Sequence, residues 1–190
     1  MNSMQAVTDE QLIRWVADGD ASCLATLFER HHQGIYRFCL QMTRHRAQSE
    51  DLVQDVFMKV LQKAGGYRGD GSFKAWLYNV ARNVTLDYLR RNRHTHATFD
   101  ADAADAEPVD TRSAEQAASG RQLANHVAQA LARLPEAARE VIWLGRFEFD
   151  SYEDLAAALG CKPGAARVRM HRAMQLLASE VGAIEGVTTA

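Results

Sequence analysis

SYEDLAAALGCKPGAARVRMHRAMQLL, residues 151–177, divides into a short segment with helical apolar spacing, a tight turn and a longer basic segment. Ser151 can cap the first helix, Tyr152 to Leu159, by accepting from an otherwise orphaned backbone N–H. Gly160 stops it, and Pro163 suits the first position of the next helix, where its missing N–H costs nothing. Leu155, Ala156 and Leu159 then face inward, opposite an inward stripe of Ala166, Met170, Ala173 and Leu177. Small Ala156 permits a close crossing. This is the spacing of a helix-turn-helix. With the stripe buried, Arg167, Val168, His171 and Arg172 project outward, flanked by Arg169. Arginine reads guanine edges in a major groove or grips phosphates. The role of His171 stays open between a base, a phosphate and neither. The bland alternative is a solvated basic face. The absence of any acidic residue from Cys161 to Met174, against Lys162, Arg167, Arg169 and Arg172, argues against it.

Working outward, Pro135 starts a helix to about Arg146, and a longer one spans Ala114 to Arg133. Ser113 with Gln116 forms a capping box at its start. Upstream, Thr8 with Gln11 is another capping box, opening a short helix to about Asp18. Asp20 can cap a second helix with Leu24, Leu27, Phe28, Ile35, Phe38, Cys39 and Met42 at helical spacing. Ser49 can cap a third, with Leu52, Val53, Val56, Phe57, Val60 and Leu61 as its buried stripe; Gly65-Gly66 end it. Ser72 caps a fourth, from Phe73 to about Asn92, in which Trp76, Leu77, Val80, Ala81 and Leu89 read as core. His94 to Ser113 is rich in Ala and Asp and shows no apolar period, so it reads as a linker too polar to offset its ordering entropy. The expected fold is all-α: two small helical domains, 1–93 and 114–182, a flexible acidic linker, 94–113, and a frayed tail, 183–190.

Hydrophobic residues make up 47% and charged residues 24% of the 190, ordinary for a globular chain. No run of 18 apolar residues exists, so no membrane insertion is expected. Nothing near Met1 reads as a secretory signal, so the expected location is the cytoplasm. Cys23, Cys39 and Cys161 are far apart and suggest neither a zinc knuckle nor a redox pair, and Cys23 and Cys39 read as small buried residues. The net charge of −2 hides segregation. Arg68, Lys74, Arg82, Arg90, Arg91 and Arg93 dominate Tyr67 to His96. Asp100, Asp102, Asp105, Glu107, Asp110 and Glu115 dominate Thr95 to Gly120. Two basic patches around an acidic tract suggest two contacts with a polyanion.

EDLVQDVFMKV (50–60), YRGDGSFKAWLYNVARN (67–83) and DYLRR (87–91), followed by LPEAAREV (134–141) and the helix-turn-helix, closely resemble the signatures of the extracytoplasmic-function sigma factors of bacterial RNA polymerase. The resemblance covers roughly Leu24 to Leu177, with two separate signatures in the right order. It implies a sigma region 2 domain and a helix-turn-helix region 4 domain. It further implies that the outer face of the third helix, Asp51, Gln54, Asp55, Met58 and Lys59, docks on the clamp helices of the largest subunit of core RNA polymerase; acids there suit a basic partner. Promoter DNA is the second implied partner. Tyr78 and Asn83 match the family's positions for a flipped base of the −10 element, with loop Tyr67 to Ser72 (Arg68 included) walling the pocket. Arg82, Arg90, Arg91 and Arg93 would hold the backbone. The basic face from Arg167 to Arg172 would read the −35 element. An anti-sigma factor is the implied regulator, and the linker would lie in polymerase channels or act as a tether only. The chain departs from the family at Gly164-Ala165-Ala166-Arg167-Val168-Arg169: Ala165 lacks a hydroxyl for phosphate, and Val168 replaces a usual polar residue.

No catalytic residue, cofactor or metal ligand is expected. Adjacent His31 and His32 diverge around a helix instead of converging on one ion, and His94 and His96 fall in the linker. The rival from another class is a stand-alone helix-turn-helix regulator, which would bind DNA tightly without polymerase. The sigma reading expects the free chain to bind DNA poorly, because a linker leaves the two domains unaligned.

Overall fold

The computed structural model describes residues 7–69, 71–96 and 114–188, with side chains over 7–69, 71–92 and 123–184. Every regular element among them is helical. The first body contains α1 (Asp9–Ala17), α2 (Ser22–Thr43), α3 (Arg46–Lys63) and α4 (Phe73–His96); the second contains α5 (Ala114–Arg133), α6 (Glu136–Trp143), α7 (Tyr152–Ala158) and α8 (Pro163–Thr188). A 3₁₀ turn, Ala64–Gly66, closes α3, and a π turn, Leu144–Glu148, extends α6.

Three caps form as expected. Thr8 and Gln11 bond reciprocally, Ser72 Oγ accepts from Ala75 N at 3.1 Å, and Ser151 Oγ accepts from Asp154 N at 3.1 Å. Each satisfies a first-turn N–H that the helix leaves open. Asp20 acts one step removed: its Oδ1 accepts from Ser22 N at 3.1 Å, while Ala21 holds the cap position. Ser49 is not a cap. The third helix starts at Arg46, capped by the His45 ring, and Ser49 is fully buried inside it. Its Oγ donates to the His45 carbonyl at 2.8 Å, the back-bonding that lets serine sit mid-helix.

The predicted apolar stripes fill the core, with Leu27, Ile35, Phe38, Cys39, Val56 and Leu77 at 0% exposure. Phe28 and Leu61 do not belong to it; each is 37% exposed. The fourth helix continues to His96, past Asn92. The last helix runs to Thr188 instead of fraying after Gly182. Buried Ile184 extends the stripe of Leu177, and Glu180 faces Arg133 of α5 at 4.0 Å, so α5 gives the extra turns something to pack on. The Ser113 cap and linker residues 97–113 lie outside the described residues.

The two bodies are not held apart. α4 packs on α7, α2 packs on α6, and one continuous hydrophobic cluster runs from Leu12 and Phe38 through Tyr78 to Phe149 and Leu155.

Candidate nucleic-acid interface

The helix-turn-helix is built as its spacing demands. Leu155, Ala156, Leu159, Ala166, Met170 and Ala173 are all buried, and Leu177 packs on their edge. Ala158, not assigned inward from the sequence, is fully buried as well. Gly160 takes φ +63°, the left-handed turn that a side chain resists. Holding the stripe inside turns Arg167, Val168, Arg169, His171 and Arg172 outward, and all five are exposed. The Arg167 guanidinium lies 5.2 Å over the Tyr152 ring, which braces it.

On α3, Asp51, Gln54, Asp55, Met58 and Lys59 are all exposed, a mixed acidic face around a Met58 that is 56% open.

The basic helix α4 is divided. Arg68 in the preceding loop and Arg90, Arg91 and Asn83 on the helix are exposed. Arg90 pairs locally with Asp87 at 3.2 Å, and Arg91 Nε donates to the Asp87 carbonyl. Tyr78 is only 1% exposed. Its ring stands edge-on to Phe38 of α2 and to Phe149 of the second body, at 5.9 and 5.5 Å. Its hydroxyl lies over Gly34, where a Cβ would come within 2.7 Å. Burial, and next the Glu148 carboxylate, raise its pKa. Arg82 also turns inward: its Nε is 2.6 Å from Glu140 Oε1, though the N–H is not aligned for a hydrogen bond, so charge holds the pair. Burial pushes the Glu140 carboxyl up, and the Arg82 charge opposes that shift. Trp76 is half-buried against Tyr67 and Phe73, as a core-edge residue.

Sequence reasoning missed the partners across this seam. Lys74 Nζ reaches Glu148 Oε2 at 3.0 Å and donates to the Glu148 carbonyl at 2.8 Å. Asn79 Nδ2 donates to the Ala158 and Ala157 carbonyls at 3.1 and 3.4 Å, capping α7 from another helix. Asn83 in turn donates to Asn79 Oδ1 at 3.2 Å. Arg44 donates to the Ala132 carbonyl. No local pattern announces such contacts.

Of the histidines weighed as metal ligands, His31 and His32 have side chains among the described residues. His31 Nε2 meets Asp9 Oδ2 at 2.6 Å, and His32 Nδ1 lies 2.9 Å from the Phe28 carbonyl.

Comparison with known proteins covers both halves of the chain. Residues 27–95 match the Sigma-70 region 2 family, and residues 125–177 match Sigma-70, region 4. The RNA polymerase sigma factor CarQ of Myxococcus xanthus is 34% identical over 88% of this chain and 94% of its own. This chain belongs to the extracytoplasmic-function sigma factors. The RNA polymerase sigma-H factor of Pseudomonas aeruginosa is 30% identical over 89% of this sigma factor and 91% of its own chain. Among solved structures, CnrH in complex with the cytosolic domain of CnrY shares the fold, with a TM-score of 0.67 at 24% identity, covering 92% of this chain and 97% of that one. The sigma factor RpoE of Bartonella quintana, solved with the anti-sigma factor NepR, gives 0.63 at 26% identity over 83% and 96%. The sigma factor thus acts in promoter-directed transcription initiation, and a stand-alone regulator is not favoured, since it leaves the region 2 match without a purpose.

Proposed function

We propose the following division of labour for this sigma factor. The α3 face of Asp51, Gln54, Asp55, Met58 and Lys59 docks on the clamp helices of core polymerase. Tyr78 and Asn83 hold a flipped base of the −10 element, with Arg68, Arg82, Arg90, Arg91 and Arg93 on the backbone. Arg167, Val168, Arg169, His171 and Arg172 meet the −35 element. The chain works in the cytoplasm, performs no catalysis of its own and is restrained by an anti-sigma factor; the RpoE relative solved with NepR supports that last point.

The observation that carries this reading is the α8 face: five adjacent exposed residues, three of them arginine, backed by a buried stripe. Phosphate contacts supply salt-dependent affinity, and base contacts supply selection. Binding of flipped bases offsets unstacking, which costs a few kcal/mol per base.

Run-off transcription with purified core polymerase on genomic promoters tests it. Specific transcripts are expected only when both core and this chain are present. Reversing charge at Asp51 and Asp55 should abolish them together with core binding. A folded chain that neither binds core nor directs a transcript would overturn the proposal.

A further inference from the structure

The seam between the two bodies covers part of the face of α4 assigned above to the −10 element, with Tyr78 and Arg82 drawn into it while Asn83, Arg90 and Arg91 stay exposed. Tyr78 is sealed by Phe149, Arg82 is held by Glu140, and Asn79, the hydrogen-bond partner of Asn83, is spent on the end of α7. The carboxylates that do this are themselves enclosed, with Glu140 and Glu148 side chains 4% and 8% exposed. A buried carboxylate needs a partner, and each has a cation from α4. Lys74 also lies 5.4 Å over the Phe149 ring and 5.8 Å over Tyr78. The α3 face and the α8 recognition face meanwhile stay open.

We propose that the second body acts as an intramolecular clasp, in which Glu148, Phe149 and Glu140 hold Tyr78 and Arg82 of the −10 face of α4 until the two bodies separate. The inference rests on the assignment of Tyr78 and Asn83 to the −10 element. In the closed chain Tyr78 is withheld from DNA and Arg82 is engaged, while Asn83 stays exposed and polymerase can still reach α3. Poor DNA binding by the free chain then follows from occlusion, where a loose linker had been the expected cause. A ligand for the covered face pays for opening, so its apparent affinity falls by the fraction of open chains.

The test uses the full chain without polymerase. Small-angle scattering should give a radius of gyration near the ~16 Å of a single compact body of this length. Glu148→Lys sets two cations against each other at the latch. It should expand the chain and raise its affinity for a single-stranded −10 non-template oligonucleotide roughly tenfold, as the open fraction rises. The charge swap Lys74→Glu/Glu148→Lys should restore the compact radius. Asn79→Ala, which uncaps α7, provides a second opening variant should Glu148→Lys fail to fold. An already expanded parent chain, or opened variants with unchanged strand affinity, would overturn the clasp. If Asn83→Ala, at an exposed position, still loses transcription with core in that case, the −10 assignment survives without it. Unimpaired transcription by both Tyr78→Ala and Asn83→Ala would remove that assignment and the clasp's purpose with it.

Discussion

Asp9 shows how one carboxylate ties α1 to α2. Burial alone would raise its pKa, but hydrogen bonds and charge from His31 and Arg30, each at 2.6 Å, outweigh it and hold the carboxyl below 3.8. A depressed folded-state pKa means stability that is present above the unfolded value and lost as pH falls below it. Asp9→Asn should therefore cost about 1 kcal/mol near neutrality, a modest figure for a partly solvated pair. Urea melts of the two proteins should draw together as pH falls from 3.8 through the lower folded-state pKa; a constant difference at every pH would refute the linkage. Gly34 poses a sign question. Glycine inside a helix ordinarily gains about 1 kcal/mol on replacement by alanine. Here the new Cβ would stand 2.7 Å from the Tyr78 hydroxyl, on a ring already held by Phe38 and Phe149. Overpacking of about 1–3 kcal/mol should win, so Gly34→Ala lowers the melting temperature. Tyr78→Phe in the same chain should recover most of the loss by deleting the crowded oxygen.

Among the helices, α8 was the most legible in sequence, because a single 3.6-residue period assigns both its buried stripe and its outward face. The capping residues Thr8, Ser72 and Ser151 were equally legible, since their chemistry is local. Ser49 misled because serine bonds backbone both as a cap and within a helix, and only the chain's path past Thr43 and His45 decides which. Leu61 misled because periodicity gives a face but not its width. The seam was out of reach: Asn79 and Ala158 meet across 79 positions of chain, and no periodicity within α4 or α7 encodes that pairing. The legible part carries its own test. Ser151→Ala should destabilise α7 by about 1 kcal/mol, measured by urea denaturation. Arg167→Ala and Arg172→Ala should both reduce promoter-dependent transcription, and the salt dependence of DNA binding sorts their roles. Loss of a phosphate contact lowers the slope by ~0.9, whereas loss of a base contact costs ~1–3 kcal/mol and relaxes sequence choice. Full activity of both variants would empty the recognition face of its role.

The whole chain carries two kinds of electrostatics that salt should separate. Arg167, Arg169 and Arg172 are exposed, so their attraction to DNA is screened as the Debye length falls from ~10 Å at 0.1 M salt to ~3 Å at 1 M. The seam's carboxylates are buried, their partners stand at 2.6 and 3.0 Å, and Tyr78 meets Phe149 between them. Counterions cannot enter contacts this short, and apolar burial does not weaken with added salt. Raising sodium chloride from 0.1 to 0.5 M should therefore weaken promoter binding by the polymerase complex by an order of magnitude or more while leaving the free chain compact. Tryptophan fluorescence can follow the second half, since Trp15 and Trp76 report on the first body and Trp143 on the second. A continuous core through both bodies should make all three report one urea transition at either salt concentration. Two transitions at low salt, or one that splits as salt rises, would mean that exposed charges hold the bodies together and that the apolar seam contributes little.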